Sequence, residues 1–165
     1  MKSSYLIIGC ILLLAGAVMP AQAFSVQSLA INIDANGNAQ AHFTYGLSFT
    51  EQIAVFANIT NPASELLSAF ENSLNRHATV VNADSSSADV VIPAFATISQ
   101  ANGTETMITP AFSLSNVQNE IRQNWWAPLV SVDMSPQVTT ITFPDGYQTI
   151  YYNQISIPAV SHRIE

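Results

Sequence analysis

The strongest constraint on this fold is a pair of alternating segments on either side of Asn36-Gly37. Apolar and polar residues alternate from Leu29 to Ile33 and again from Ala41 to Tyr45, which is the period of a half-buried β-strand. Two such segments around an Asn-Gly turn predict a β-hairpin. The apolar side of this hairpin must be covered, so it predicts an antiparallel sheet with one packed face.

The length of the hairpin loop follows from which residues would face each other. A two-residue turn pairs Ile31 with His42 and mixes apolar and polar side chains on one face. A three-residue loop ending at Gly37 pairs Ile31 with Ala41 and requires a left-handed third residue, which glycine supplies. We therefore predict the three-residue loop. The same register aligns the other apolar pairs, Ile33 with Ala39 and Leu29 with Phe43.

Two segments carry helix signals. The first begins at Asn61-Pro62, an N-cap residue followed by proline at the first helical position. The second begins with a capping box formed by Ser115 and Gln118 and ends before Pro128. Short strands are predicted between and after them, at 79–82, 90–98, 107–108, 130–134, 138–143 and 147–157, with turns at Asn102-Gly103 and Pro144-Asp145-Gly146. This order predicts the α+β class, an antiparallel sheet built from β-hairpins with two helices packed on one face.

Residues 1–23 predict a cleavable secretory signal peptide. Lys2 gives the segment a positive start, a long apolar run follows, and Ala21-Gln22-Ala23 places small residues at a cleavage site. The alternative, an uncleaved membrane anchor, needs about 20 apolar residues, and Pro20 interrupts this run. We therefore expect one α+β domain over residues 24–165, secreted or otherwise outside the cytoplasm, with no stable membrane span after the signal is removed.

Composition excludes several classes of partner. Cys10 is the only cysteine and lies inside the predicted signal, so the mature domain has no disulfide and depends on its core. Removing residues 1–23 leaves three arginines (Arg76, Arg122 and Arg163) against eleven acids, a formal charge of −8. Nucleic-acid binding and attraction to an anionic membrane both need clustered cations. Neither activity is expected of this chain.

No sequence motif for a metal, nucleotide or catalytic nucleophile is present. His42, His77 and His162 belong to no metal-binding pattern. Asp34 opens a hairpin turn rather than a calcium loop, because no acid follows at the spacing that such a loop requires. The serine-rich segment 84–89 is interpreted as a solvated turn. We therefore predict no cofactor, no metal and no catalytic residue.

The candidate contact residues are aromatic. Trp125 continues the apolar face of the second helix. Adjacent helical residues point about 100° apart, so Trp126 faces elsewhere and becomes a candidate for contact with a partner or ligand. The alternative is boundary packing of Trp126 against the following turn. Tyr151 is the second candidate, because Tyr151 and Tyr152 face opposite ways in a strand and only one can join the same surface.

Two Asn-x-Thr sequons, at Asn58 and Asn102, are candidate glycosylation sites in a host that modifies secreted asparagine. Export, sparse charge and a surface rich in amides and hydroxyls predict a non-catalytic secreted or cell-surface domain. Its expected role is structural, adhesive or interactive, with an envelope or extracellular protein or a glycan as partner. Two alternatives remain open: a small exported hydrolase whose acid pair is assembled only in the fold, and a soluble ligand-binding module that uses exposed aromatics.

Overall fold

A computed structural model describes residues 24–46, 77–84, 86–101, 103–123 and 132–164. Within these ranges the chain forms three sheets and one helix, α1 (Ser115–Arg122). The strands are β1 (Phe24–Ile33), β2 (Ala39–Gly46), β3 (Thr79–Ala83), β4 (Ser87–Ile92), β5 (Thr97–Ala101), β6 (Thr104–Ile108), β7 (Phe112–Ser113), β8 (Val132–Asp133), β9 (Val138–Thr142), β10 (Gln148–Tyr152), β11 (Ser156–Ile157) and β12 (Ser161–Ile164). The main sheet has the order β10-β9-β1-β2-β4-β3, with β8 also beside β1. The smaller sheets are β12-β6-β5 and β11-β7.

The first hairpin confirms the predicted register. Ile31 lies opposite Ala41, Ile33 lies opposite Ala39, and Leu29 lies opposite Phe43. Gly37 has φ of +79° at the third loop position. The Asp34 carboxylate accepts hydrogen bonds from the backbone N–H groups of Asn36 and Asn38. Hydrogen bonds from Asn38, chiefly from its side chain, hold the pKa of Asp34 below its ordinary value of 3.8. The loop therefore uses this carboxylate to hold its own backbone.

The core lies on one face of the main sheet. Successive residues of a strand point to opposite faces, and the buried positions of β2 and β4 alternate accordingly. Burying apolar surface is the dominant favourable term in folding, and side chains from the smaller sheets and from α1 also belong to the same core. The largest fully buried side chains in the described ranges are Phe95, Phe143, Leu29, Met107, Leu114, Met134, Ile141 and Ile157.

The predicted α+β class is wrong. The described chain is mostly β, and its one helix, α1, is only eight residues long. The main sheet is not purely antiparallel either, because β1 pairs in parallel with β9. Hairpin signals specify only the neighbour reached through a short turn, so they could not reveal this distant partner. The other predicted helix, beginning at Asn61-Pro62, lies outside the described residues.

The capping box predicted for the second helix does not form. The backbone N–H of Gln118 donates to the carbonyl of Leu114 at 2.9 Å. The side-chain oxygen of Gln118 accepts a hydrogen bond from the backbone N–H of Met134 at 3.1 Å. The N–H of Ser115 donates to the hydroxyl of Ser113 at 3.3 Å. Tertiary partners therefore replace the local ones that the spacing suggested.

Two predicted strands are interrupted by residues with positive φ. The segment 90–98 bends after Ile92, where Pro93 cannot donate to a sheet and Ala94 has φ of +50°. The segment 147–157 breaks at Asn153, which has φ of +53°, and its later residues join a different sheet. Ala101 lies opposite Thr104, so the β5–β6 turn has two residues. That observation settles a loop length that the apolar pattern left open.

Candidate interaction surface

Strand β10 forms one edge of the main sheet. It pairs with β9 on one side, and among the described strands none pairs with its other side. Gln148, Ile150 and Tyr152 are exposed, whereas Thr149 and Tyr151 are half-buried. The exposed fraction is 46% for Ile150 and 63% for Tyr152. One face of β10 is therefore packed and the other presents large apolar side chains at an open edge.

Hydrogen bonds at the two ends of the β9–β10 hairpin show which backbone groups point outward. The N–H of Phe143 donates to the carbonyl of Tyr147 at 2.9 Å, and the N–H of Asn153 donates to the carbonyl of Gln137 at 3.2 Å. Hydrogen-bonded and non-hydrogen-bonded pairs alternate in an antiparallel ladder. Counting alternate residue pairs from Phe143–Tyr147 or from Gln137–Asn153 gives the same assignment. The N–H and C=O groups that point away from β9 belong to Gln148, Ile150 and Tyr152.

A His–Asp cluster holds the start of β10 in place. The Nε2 atom of His162, in β12, lies 2.6 Å from the Oδ2 atom of Asp145 in the hairpin loop. The His162 ring stacks on Tyr147 with centroids 4.0 Å apart and planes 8° apart. The Phe143 ring lies 4.9 Å from the same imidazole. This cluster connects the β9–β10 hairpin with the sheet that contains β12.

The position of His162 in a paired strand was not indicated by the sequence. Residues Ser161–Ile164 form β12 and pair antiparallel with β6. Their partner strand lies more than fifty positions earlier, so no local pattern could indicate it. The side chain of His162 contacts the carboxylate of Asp145 through its Nε2 atom. The His162–Asp145 pair forms a clamp between the sheet that contains β12 and the main sheet.

The loop itself strengthens this clamp. One oxygen of Asp145 accepts a hydrogen bond from the backbone N–H of Tyr147 at 3.1 Å, while the other meets His162. The hydrogen bond from His162 is the largest cause that holds the pKa of Asp145 below its ordinary value of 3.8. Both the backbone and the ring of Tyr147 are thus fixed beside the open edge, although the side chain remains 47% exposed.

A second His–Asp pair lies on the opposite face of the main sheet from the core. The Nδ1 atom of His42 is 2.6 Å from the Oδ1 atom of Asp89, and both side chains are more than 40% exposed. Asp84 accepts hydrogen bonds from the backbone of Ser86 and Ser87, and these, led by the bond from Ser86, lower its pKa. In the ranges that the structure describes, no three His, Cys, Asp or Glu residues converge as metal ligands.

The predicted contact and modification sites are only partly covered by the structure. Tyr151 lies on the core side of β10, half-buried, and its contact role stays a prediction. Trp126, Asn58 and Asn102 lie outside the described residues. The residues missed at the sequence level are Ile150 and the Asp145–His162 pair, and of the two adjacent tyrosines the sequence interpretation selected Tyr151 rather than the more exposed Tyr152. Strand alternation places Ile150 and Tyr152 on one face, but only the sheet order reveals that this strand is an edge.

The chain matches no protein-family model, no curated protein and no solved structure. Within the described ranges, none of the helical structure is both long and apolar enough to span a membrane.

Replacing Asp145 by asparagine is expected to lower the melting temperature at neutral pH, because the amide cannot provide the carboxylate charge beside His162. The lowered pKa means that the folded state binds this proton more weakly than the unfolded state does. The stabilisation is complete well above pH 3.8 and is lost as pH falls through the folded pKa. Thermal melts of both proteins from pH 7 to pH 2.5 should show the difference shrinking below about pH 5. A difference independent of pH would contradict this role.

Proposed function

We propose that this protein is a non-catalytic secreted or cell-surface domain that acts in structure or adhesion by binding another polypeptide along β10. The observation that supports this proposal is the coincidence of two properties in Gln148, Ile150 and Tyr152. Their side chains are exposed, and their backbone donors and acceptors point to the open side of the sheet. An extended segment that adds to such an edge gains main-chain hydrogen bonds and side-chain contacts together.

The edge also lacks the features that usually prevent strand addition. Natural proteins protect sheet edges with charged residues, proline or β-bulges, and Gln148–Tyr152 contains no charge and no proline. At the opposite edge, β3 has an irregular register between Val80 and Asn82. In the sheet β12-β6-β5, all five residues of the edge strand β5 are exposed, so neither face is packed. Strand β10 differs from β3 and β5 because it has a regular register, one packed face and one exposed, uncharged face.

The charge around β10 indicates what kind of segment fits. Between Asp133 and Arg163, Asp145 is the only acid, and no lysine or arginine occurs. Its carboxylate is already paired with His162. A highly charged partner would leave its charges uncompensated along this strand. The surface is therefore suited to an uncharged extended segment rich in apolar and hydroxyl side chains. Location outside the cytoplasm follows from the signal predicted over residues 1–23.

The proposal is tested with a photo-crosslinking amino acid at one position in the exported protein. Position 152 reports on β10, and position 81, on β3, is a control of matched exposure, since Tyr152 is 63% and Val81 67% exposed. We expect a polypeptide adduct from position 152 and little from position 81. The adduct should disappear when Ile150→Pro is added. Equal capture at both positions, or none at position 152, would contradict the proposal.

A further inference from the structure

We propose that the segment bound along this edge is β10 of a second copy of the chain, paired antiparallel about a two-fold axis through Ile150. This inference rests on the proposed function and names its partner. A symmetric interface requires a surface that is complementary to itself. The outward-pointing residues Gln148 and Tyr152 lie two positions on either side of Ile150. The backbone donors and acceptors of β10 therefore match those of a second, antiparallel copy of the same strand.

The outward groups determine the register. With Ile150 opposite Ile150 of the second copy, Gln148 lies opposite Tyr152 and Tyr152 opposite Gln148. Each of these pairs exchanges two N–H···O=C bonds, so all the outward donors and acceptors of the strand are used. A shift of two residues leaves one outward-pointing residue of each strand without a partner. A shift of one residue brings outward groups opposite groups already bonded to β9.

The same register also matches the side chains. Directly opposed residues in an antiparallel pair share a face. The exposed side chains of Ile150 from both copies therefore meet at the axis, with Tyr152 beside Gln148 on either side. On the core face, Thr149 lies opposite Tyr151, and both are already half-buried. Contact with a second copy would cover apolar surface on the open face and extend the packed face across the boundary.

Charge favours this edge over other surfaces for self-association. The chain is acidic, with a formal charge of −7 before any processing, so two copies repel each other at most orientations. Strand β10 carries no charge, and the acid nearest to it in the sequence, Asp145, is paired with His162. In the antiparallel arrangement the two Asp145 residues lie at opposite ends of the paired strands. Electrostatic repulsion should therefore oppose the approach of two copies least when they meet along β10.

Pairing of one short strand buries little surface, and small interfaces are typical of weak, reversible association. We expect the dimer to dissociate on dilution and to form at concentrations on the order of 100 µM. Sedimentation of the full-length protein, in the form its cell produces, should detect it. Ile150→Pro removes the N–H that points away from β9 and should weaken association at least about tenfold, because two hydrogen bonds across the axis are lost.

A second variant keeps this test decisive if the proline variant does not fold. Ile150→Lys places two positive charges opposite each other across the two-fold axis and should also abolish the dimer. Val81→Lys, at the other edge of the same sheet, is the matched control and should leave association unchanged. Unchanged association of Ile150→Lys, or loss of association in Val81→Lys, would overturn the proposal.

The register is tested with single cysteines in a Cys10→Ser background, which removes the chain's only native thiol. Opposed residues of a hydrogen-bonded pair have Cα atoms about 5.5 Å apart, within the roughly 4.4–6.8 Å that a disulfide requires. Ile150→Cys should therefore form a covalent dimer under mild oxidation. In Tyr152→Cys the two thiols lie about 14 Å apart along the strands and should not react. Equal crosslinking of both variants would reject this register.

The outcomes also separate this inference from the proposed function. If the wild-type protein remains monomeric up to about 1 mM, well above the range of a weak dimer, self-pairing is wrong. If position 152 still captures a different polypeptide, the proposed function stands with another partner. A monomer that captures nothing from position 152 would reject both proposals.

Discussion

Gly37→Ala is expected to destabilise the domain by about 3 kcal/mol or more. Gly37 has φ of +79°, and a left-handed conformation costs a residue with a Cβ roughly 1–2 kcal/mol. A Cβ there would also lie 2.5 Å from the backbone carbonyl oxygen of Ala96. The N–H of Ala96 donates to the carbonyl of Gly37 at 2.8 Å, so the two segments cannot separate without losing this bond.

Gly103→Ala is the matched control for this prediction. Gly103 has φ of +75°, but a Cβ added there meets nothing within 4 Å. Its cost should be limited to the conformational term, roughly 1–2 kcal/mol. Urea unfolding of both variants gives the difference, which measures the close approach of Gly37 to Ala96. Equal losses of stability would mean that the Ala96 segment moves aside at little cost, and the prediction would then be wrong.

Phe143→Ala is expected to cost about 3–5 kcal/mol, the usual range for truncation of a buried phenylalanine. Only 2% of Phe143 is exposed, and its ring contacts Tyr147 and His162 with centroids 5.9 and 4.9 Å away. The substitution leaves a cavity and also removes the ring that supports the stacked pair. Domains of this size are stable by only about 5–15 kcal/mol. We therefore expect a much lower urea midpoint and reduced recovery of folded protein.

Tyr152→Ala serves as the comparison, because it removes a large ring from the same hairpin at a position that is 63% exposed. Exposed substitutions usually change stability by no more than about 0.5 kcal/mol. Its urea midpoint should match that of the wild type, while association through β10 should weaken. A loss of stability similar to that of Phe143→Ala would show that Tyr152 belongs to the packed side of the hairpin.

The register of the first hairpin was predictable because its determinants are local. Alternation places Ile31 and Ala41 on one face only if the loop has three residues, and Gly37 supplies the backbone conformation that this loop requires. A slip of one residue would move every apolar side chain to the wrong face. A wrong register would therefore be strongly destabilising, and the residues that determine the correct one are close together in the chain.

The class of the fold was not predictable on the same grounds. The parallel pairing of β1 with β9 and the pairing of β12 with β6 join segments that carry no mutual signal. Capping signals also competed with tertiary hydrogen bonds, since Gln118 binds the backbone of Met134 instead of completing a capping box. Local propensity is a weak indicator where distant groups satisfy the same donors and acceptors.

The candidate surface was missed for a related reason. Whether a strand is central or at an edge depends on the order of all strands in the sheet, so the sequence around Ile150 does not reveal that this strand has an open side. The same holds for Asp145 and His162, which meet only because β12 packs beside the β9–β10 hairpin. Sequence alternation separated Tyr151 from Tyr152, but it did not show which of them faces the core.

The parallel pairing of β1 with β9 has a consequence for the time course of folding. Ser28 pairs with Val138, about 110 positions later, and closing so large a loop costs entropy before any contact compensates for it. A chain made from its N-terminus can form the first hairpin early, but one side of β1 remains unpaired until β9 has emerged. The central strand is thus among the first segments to be synthesised and among the last to be enclosed. Conditions that delay the later segments prolong the aggregation-prone stage of this protein.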